Sequence, residues 1–349
     1  MRATIGIALA MTCLLGAPAS SAEEKPFTCP TVPAPVTALH FGSRYTDESK
    51  TRSDLDEASN AEVNRALEPV EKFIGSLMRM ANDALVEKNR ARADCVLDWL
   101  DQWAAAGALT DLETVNARLA IPARHAGLAI ALLQAETVGP LDPDKRARVV
   151  DWLTKAAGET RTFFEEDAPG NSGKANLRAW AGLSAAAIGR LDDNRDLLDW
   201  ARVSFELVTC QASADGSLPL EMKRADRALN YQLHATAPLI VTAELLEVTG
   251  YDGYAACGGK LRTVAAFSLA AIQDPQIVQK ITGKKQTFQN GKQKVEPFML
   301  AWVEPLLRHE TDAAAESFVA PFRPLSHAKL GGNLSRIGDW VARLPAASG

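Results

Sequence analysis

The sequence carries none of the usual marks of metal, nucleotide or serine-hydrolase chemistry. It has no CxxC, HExxH or calcium-loop spacing, and its five histidines are scattered, so no metal site is expected. It has neither a Gly-rich phosphate loop nor a GxSxG elbow, and no cofactor is expected. Beyond the N-terminus no segment reaches about 18 uninterrupted apolar residues, so no membrane anchor is expected. Positive charge is in deficit: 38 Lys and Arg stand against 43 Asp and Glu, which gives no overall attraction to nucleic acid. An anionic partner would have to meet a local basic site instead. Strand signals are sparse, and the lack of a strict short repeat argues against a regular solenoid.

Cysteine is scarce as well. Five occur, and Cys13 falls inside the first apolar run. That run, IGIALAMTCLLG, follows the charged start Met1–Arg2 and leads into APASSA, which ends on the small residues Ser20 and Ala22 before Glu23. This is the pattern of a secretory signal peptide over residues 1–22, cut near Ala22, with no lipobox ahead of Cys13. A periplasmic or secreted location is therefore expected. Residues 23–349 are read as a single domain with a net charge of about −6, since the leader removes Arg2 and no acid. Cys29, Cys95, Cys210 and Cys257 allow three disulfide pairings. Cys29–Cys95 with Cys210–Cys257 is the pairing preferred here, and buried free thiols are the alternative.

What the sequence has in abundance is helical periodicity. NRALEPVEKFIGSLMRMANDALVE, ARADCVLDWLDQWAAAGAL, PARHAGLAIALLQAE and PDKRARVVDWLTKAAGETRTFFEE repeat apolar residues at i, i+3, i+4 and i+7. So do ANLRAWAGLSAAAIG, RDLLDWARVSFELVTCQA, DRALNYQLHATAPLIVTAELLEV, GKLRTVAAFSLAAIQ and EPFMLAWVEPLLRH. Gly, Asn, Asp and Pro punctuate the gaps. The Pro-rich start to about Thr37 predicts an extended arm, and GSRYTDESKTRSDLDEA (42–58) predicts a long irregular loop of the kind used as a lid. The best strand candidate is a surface hairpin over KQTFQNGKQKVE, with its Asn-Gly turn. The fold class is thus all-α, built from antiparallel helix pairs.

One helical segment is unusual. RADRALNYQLHA (224–235) sets Arg227, Tyr231 and His234 at i, i+4 and i+7, on one face of a helix. Lys223 and Arg224 add to a local positive cluster in a net acidic protein. Asn176 and Arg178 open another helix after a Gly/Asn/Ser loop, where free backbone N–H groups favour anions. A groove lined by such residues suits a polyanion, most simply a polymer of uronic acids. Trp180 and Trp302 are the tryptophans that could face a sugar, while His40, His125, His309 and His327 have no partner pattern.

These segments resemble a known family. FGSRYTDESKTRSDLD, CVLDWLDQWAAAGAL, NLRAWAGLSAAAIGRLDDNRDLLDW, GSLPLEMKRADRALNYQLHATAPL, LAWVEPL and HAKLGGNLSRI follow the order and spacing seen in bacterial periplasmic alginate lyases. The resemblance implies an incomplete (α/α) toroid that cleaves an acidic polysaccharide by β-elimination. In that reaction a base removes the proton α to a uronate carboxylate. Other groups neutralise the carboxylate so that an enolate can form, and an acid protonates the leaving glycosidic oxygen. The family uses an Asn-Asn-His motif on one helix and, on a later helix, an Arg followed seven residues on by a Tyr.

Aligned on Trp180 and Trp200, Ala175, Asn176 and Leu177 fall on Asn-Asn-His, so the second Asn is kept and the His is Leu. Arg227 is matched to the Arg, which puts His234 at the Tyr. The expected catalytic set is therefore Arg227 and Asn176 on the carboxylate, His234 as general base and Tyr231 as a second proton carrier. Arg44 and Tyr45 fall in the family's lid segment. With Arg178, Lys223, Arg224 and Trp180 they make up the expected substrate-binding set. Lys329 sits where the family tends to carry Arg, which suggests a structural role. A non-catalytic polysaccharide-binding protein derived from a lyase is the alternative.

Overall fold

The computed structural model describes residues 27–287 and 294–344. The leader and the tip of the KQTFQNGKQKVE segment lie outside these residues.

Eight long helices follow the periodic segments closely. They are α1 (Glu57–Glu87), α2 (Arg90–Ala105), α3 (Pro122–Glu136), α4 (Pro143–Thr162), α5 (Asn176–Leu191), α6 (Arg195–Thr209), α7 (Ala228–Glu247) and α8 (Ala256–Gln273). Their starts are chemically marked. Asp56, Asn89 and Asn194 each accept a backbone N–H three residues on, and Asp142 caps α4 just ahead of Pro143.

Packing sorts these helices into two layers. α1, α3, α5 and α7 pack side by side as an inner row, and α2, α4, α6 and α8 back them from outside. α5 is buried from Arg178 to Leu191, which accounts for its apolar composition all round. The N-terminal halves of all four inner helices line one groove, so the four run the same way. Their N-termini gather at one end.

The row stops at α1 and α7, and the C-terminal segments fill part of the gap. Two short strands, Ser326–His327 and Gly332–Asn333, pair antiparallel; the second sits against α1, and the turn between them, Ala328–Leu330, against α1 and α3. Asn82 on α1 and Gln134 on α3, both buried, donate to the Gly331 carbonyl at 2.9 Å each. Asn82 also accepts from Asn333 N–H at 2.7 Å. Gly332, at φ +86°, has no room for a Cβ, which would stand 2.3 Å from Asn82 Oδ1. These strands were not legible in the sequence. They are two residues each and owe their pairing to this docking; a second two-residue pair, parallel, joins Ala38–Leu39 to Asp111–Leu112.

Both preferred disulfides are present. Cys29–Cys95 ties the N-terminal arm to α2, and Cys210–Cys257 joins the end of α6 to the start of α8. The arm lies extended along α2, where Trp99 and Trp103 donate to the carbonyls of Pro30 and Pro33 at 3.0 Å. The 42–56 stretch is more ordered than an irregular loop. Tyr45 pairs with Leu55, and Ser49, buried, accepts from Ser53 and Asp54 N–H at 3.0 Å.

Candidate functional site

The inner helices leave a groove of about 1270 Å³ beside their N-terminal halves. That exceeds the ~300–1,000 Å³ typical of a drug-sized ligand and suits a chain of several sugars. Four helix N-termini facing the same way give this end a positive dipole field before any side chain is counted.

Side chains add to that field. Arg44, Arg224 and Arg227 all line the groove, and none lies within ion-pair distance of a carboxylate among the described residues. Arg44 instead holds the oxygens of Asn60 and Asn64 at 2.6 Å, and burial lowers its pKa from the ordinary arginine value. Arg227 is 5 % exposed and its Nε has no partner among the described residues, an arrangement that costs free energy. Across the groove, Glu71 bridges Arg124 and Lys329, with Lys329 Nζ 2.9 Å from Oε2. Burial raises the Glu71 carboxyl, but the two cations outweigh it and hold the pKa at about 2. Two cations on one acid leave that wall positive.

The chain reaches α7 in an irregular way. A short helix, Pro219–Met222, is followed by left-handed Ala225 and a 3₁₀ turn over Ala225–Arg227, so α7 begins only at Ala228. In a continuous helix, residues seven apart would be separated by about 10 Å along the axis. Here the break folds Arg224 back, and its Cζ lies 3.5 Å over the Tyr231 ring. Arg224 also donates to Arg52 O at 2.6 Å, and the Tyr45 and Tyr231 hydroxyls meet across the groove. The Arg–Tyr spacing implied by the resemblance is thus met by Arg224 and Tyr231. Arg227 and His234, paired through the resemblance, have the same seven-residue spacing and line the same groove.

His234 and Asn176 form a second cluster. Trp180 Nε1–H donates to His234 Nδ1 at 3.0 Å, and Asn176 Oδ1 lies 3.1 Å from the same nitrogen. Burial lowers the His234 pKa well below its ordinary range, helped by Lys329, Arg124 and Arg224. One edge of the ring stays open to the groove. A ring with its acceptor nitrogen occupied and its cationic form disfavoured is a poor general base, which corrects the role expected from the sequence. Beneath it, buried Glu221 accepts from Asn176 N–H at 2.7 Å and from Nδ2 at 2.9 Å. Burial raises its pKa to about 7 against those bonds and the nearby Arg224.

The expected site residues divide accordingly. Arg44, Tyr45, Asn176, Trp180, Lys223, Arg224, Arg227, Tyr231 and His234 all line the groove, with Trp180 contributing a nearly buried edge. Arg178 does not. Its guanidinium is buried behind α5, bonded to Ser204 Oγ and Glu165 at 2.7 Å and stacked on Trp200. It follows a residue that faces the groove, and one position along a helix rotates the side chain away. Trp302 is fully buried, donating to Met299 O at 2.8 Å. Three groove residues had no sequence signal beyond residue type, Glu71, Arg124 and His327, and Lys329, given a structural role from the resemblance, lines the groove as well. His327 packs on Trp180 with ring centroids 5.7 Å apart, and Phe298 follows at 6.0 Å from His327. Among the described residues no cluster of His, Cys, Asp or Glu could hold a metal ion, and no helix could cross a membrane.

Comparison with known proteins bears on the whole chain. A family profile described as Alginate lyase matches residues 18–278. A polysaccharide lyase of Stenotrophomonas maltophilia is 29% identical over 338 residues, 96% of each chain. An alginate lyase of Azotobacter vinelandii is 27% identical over 97% of each. Among solved structures, alginate lyase A1-III from Sphingomonas species A1 superposes with a TM-score of 0.75 at 24% identity, covering 90% of this chain and 87% of that one. A histidine-to-alanine variant of A1-III complexed with a tetrasaccharide gives 0.77 at 25% identity, covering 90% and 88%.

Proposed function

The chain belongs to the alginate lyase family, and from that premise we propose that it cleaves an acidic, uronate-containing bacterial polysaccharide by β-elimination in the groove. The observation that carries the reading is the set of groove arginines without carboxylate partners among the described residues, with Arg224 over the Tyr231 ring and Arg227 near Tyr45, whose hydroxyl meets that of Tyr231. Arg224 and Arg227 take the uronate carboxylate and stabilise the charge that gathers on it. Tyr231 is the proton carrier. As phenolate it removes the proton α to the carboxylate. The electron pair passes into the enolate, the C4–O4 bond breaks, and the same tyrosine returns its proton to the leaving oxygen. Tyr45 and Arg44 cover the sugar from the 42–56 segment, and Asn176, held at two points by Glu221, orients it from α5.

The test is absorbance near 235 nm, where the unsaturated product absorbs, on poly-mannuronate, poly-guluronate, poly-glucuronate and hyaluronan. A rise on one polymer is expected, reduced by about 10²–10⁴ in Tyr231→Phe and strongly in Arg224→Ala. A substitution that leaves the rate unchanged rules out that residue's role. Leu177, where the resemblance calls for histidine, favours a second reading as a polysaccharide-binding protein without catalysis. That reading predicts a flat trace on every polymer and salt-sensitive binding that weakens in Arg227→Ala.

A further inference from the structure

Leu177 lines the groove where the resemblance calls for an imidazole. His234 stands on the neighbouring inner helix, and its surroundings fix the role of each ring nitrogen. Trp180 Nε1–H can only donate, so Nδ1, 3.0 Å away, is its acceptor. The neutral ring then carries its proton on Nε2. Asn176 Oδ1, near the same Nδ1, receives no hydrogen from a ring in that state. Nε2 has no partner among the described residues, is not sealed from solvent, and belongs to a ring that faces the groove. Charged neighbours reinforce this state. Arg224 on the approach to α7, Arg124 on α3 and Lys329 on the C-terminal turn all oppose a positive ring. On the far side of Trp180, His327 is kept neutral by burial and by Lys329.

Building on the lyase reading above, we infer that His234 is a catalytic hydrogen-bond donor: its Nε2–H binds the substrate carboxylate and supplies from α7 what Leu177 cannot supply from α5. No proton is transferred to or from it. The bond tightens as enolate charge gathers on the carboxylate, so its effect falls on kcat rather than KM. The fold thus keeps a neutral donor beside two arginines and changes the helix that provides it.

Two substitutions separate a donor from a packing residue. Asparagine can set its Oδ1 where Nδ1 lies, which keeps the Trp180 bond and removes the groove donor. Glutamine reaches further and can present an amide N–H where Nε2–H was. His234→Asn should lose about 10²–10³ in kcat, and His234→Gln should retain at least about a tenth of native activity, roughly 1.4 kcal/mol in barrier. Adding Leu177→His to His234→Asn should restore activity by tenfold or more. An Asn variant as active as the Gln variant, or more so, would overturn the inference. If the native protein cleaves no polymer, the lyase reading fails separately. The same pair is then scored by affinity for a uronate oligosaccharide, where Gln above Asn upholds the donor and equal affinities reject it.

Discussion

Replacing His125 by leucine should make the protein less sensitive to acid. His125 lies on α3 next to groove-lining Arg124, is 1 % exposed, and neither ring nitrogen has a partner among the described residues. Burial holds its pKa at about 4, against 6.5 when exposed. A group that resists protonation only when folded lets the unfolded chain bind protons the native one does not, so stability falls as pH drops through 6.5 and levels off near 4. At pH 5 the two pKa values give a penalty of about 2 kcal/mol, and at pH 7.5 almost none. His234 and His327 contribute with the same sign in both proteins and cancel in the comparison. The assay is urea unfolding of native and His125→Leu proteins at both pH values with the disulfides intact. The variant should match or slightly exceed the native protein at pH 7.5, because leucine leaves no bare polar atoms buried. It should then lose about 2 kcal/mol less on going to pH 5. Equal losses, together with a variant clearly weaker at pH 7.5, would mean that the ring is hydrogen-bonded and not held bare.

Two further outcomes follow from buried charge. His309 has its pKa raised by its bond to Glu244, whose Oε1 is 2.6 Å from Nε2. Its contribution is therefore complete below pH 6.5 and lost as pH rises through the folded value. His309→Gln should cost more stability at pH 6 than at pH 9, and a cost independent of pH would contradict the ion pair. Glu71→Gln removes the acid shared by Arg124 and Lys329 and should lower the melting temperature while tightening and steepening the salt dependence of polyanion binding. An unchanged salt slope would show that those cations do not face the ligand.

The helices were legible because their apolar faces repeat over many turns, and residues such as Asp56, Asn89, Asp142 and Asn194 mark their starts. The site was legible only in part. Arg227 and His234 were paired through the resemblance, and the left-handed Ala225 that brings Arg224 onto Tyr231 leaves no trace in composition. Arg178 was misjudged because adjacent helical positions diverge by about 100°. Glu71, Arg124, His327 and Lys329 meet only when segments more than 250 residues apart are docked, as in the Lys329–Glu71 pair, and no local pattern encodes that.

The Asn82–Gln134–Gly331 junction has a consequence for how the protein is made. A chain emerging from the ribosome presents α1 and α3 long before Gly331 exists, and until then Asn82 and Gln134 have only each other, Asn82 Nδ2 donating to Gln134 Oε1 at 2.7 Å. Sealing them early would leave the donors that Gly331 O takes up unsatisfied, at about 1–3 kcal/mol each. The seam between the first and third helices is therefore expected to stay hydrated on the growing chain until residues 326–333 dock as its keystone. His327 and Lys329 arrive with that keystone, so the positive wall is completed only on a finished polypeptide.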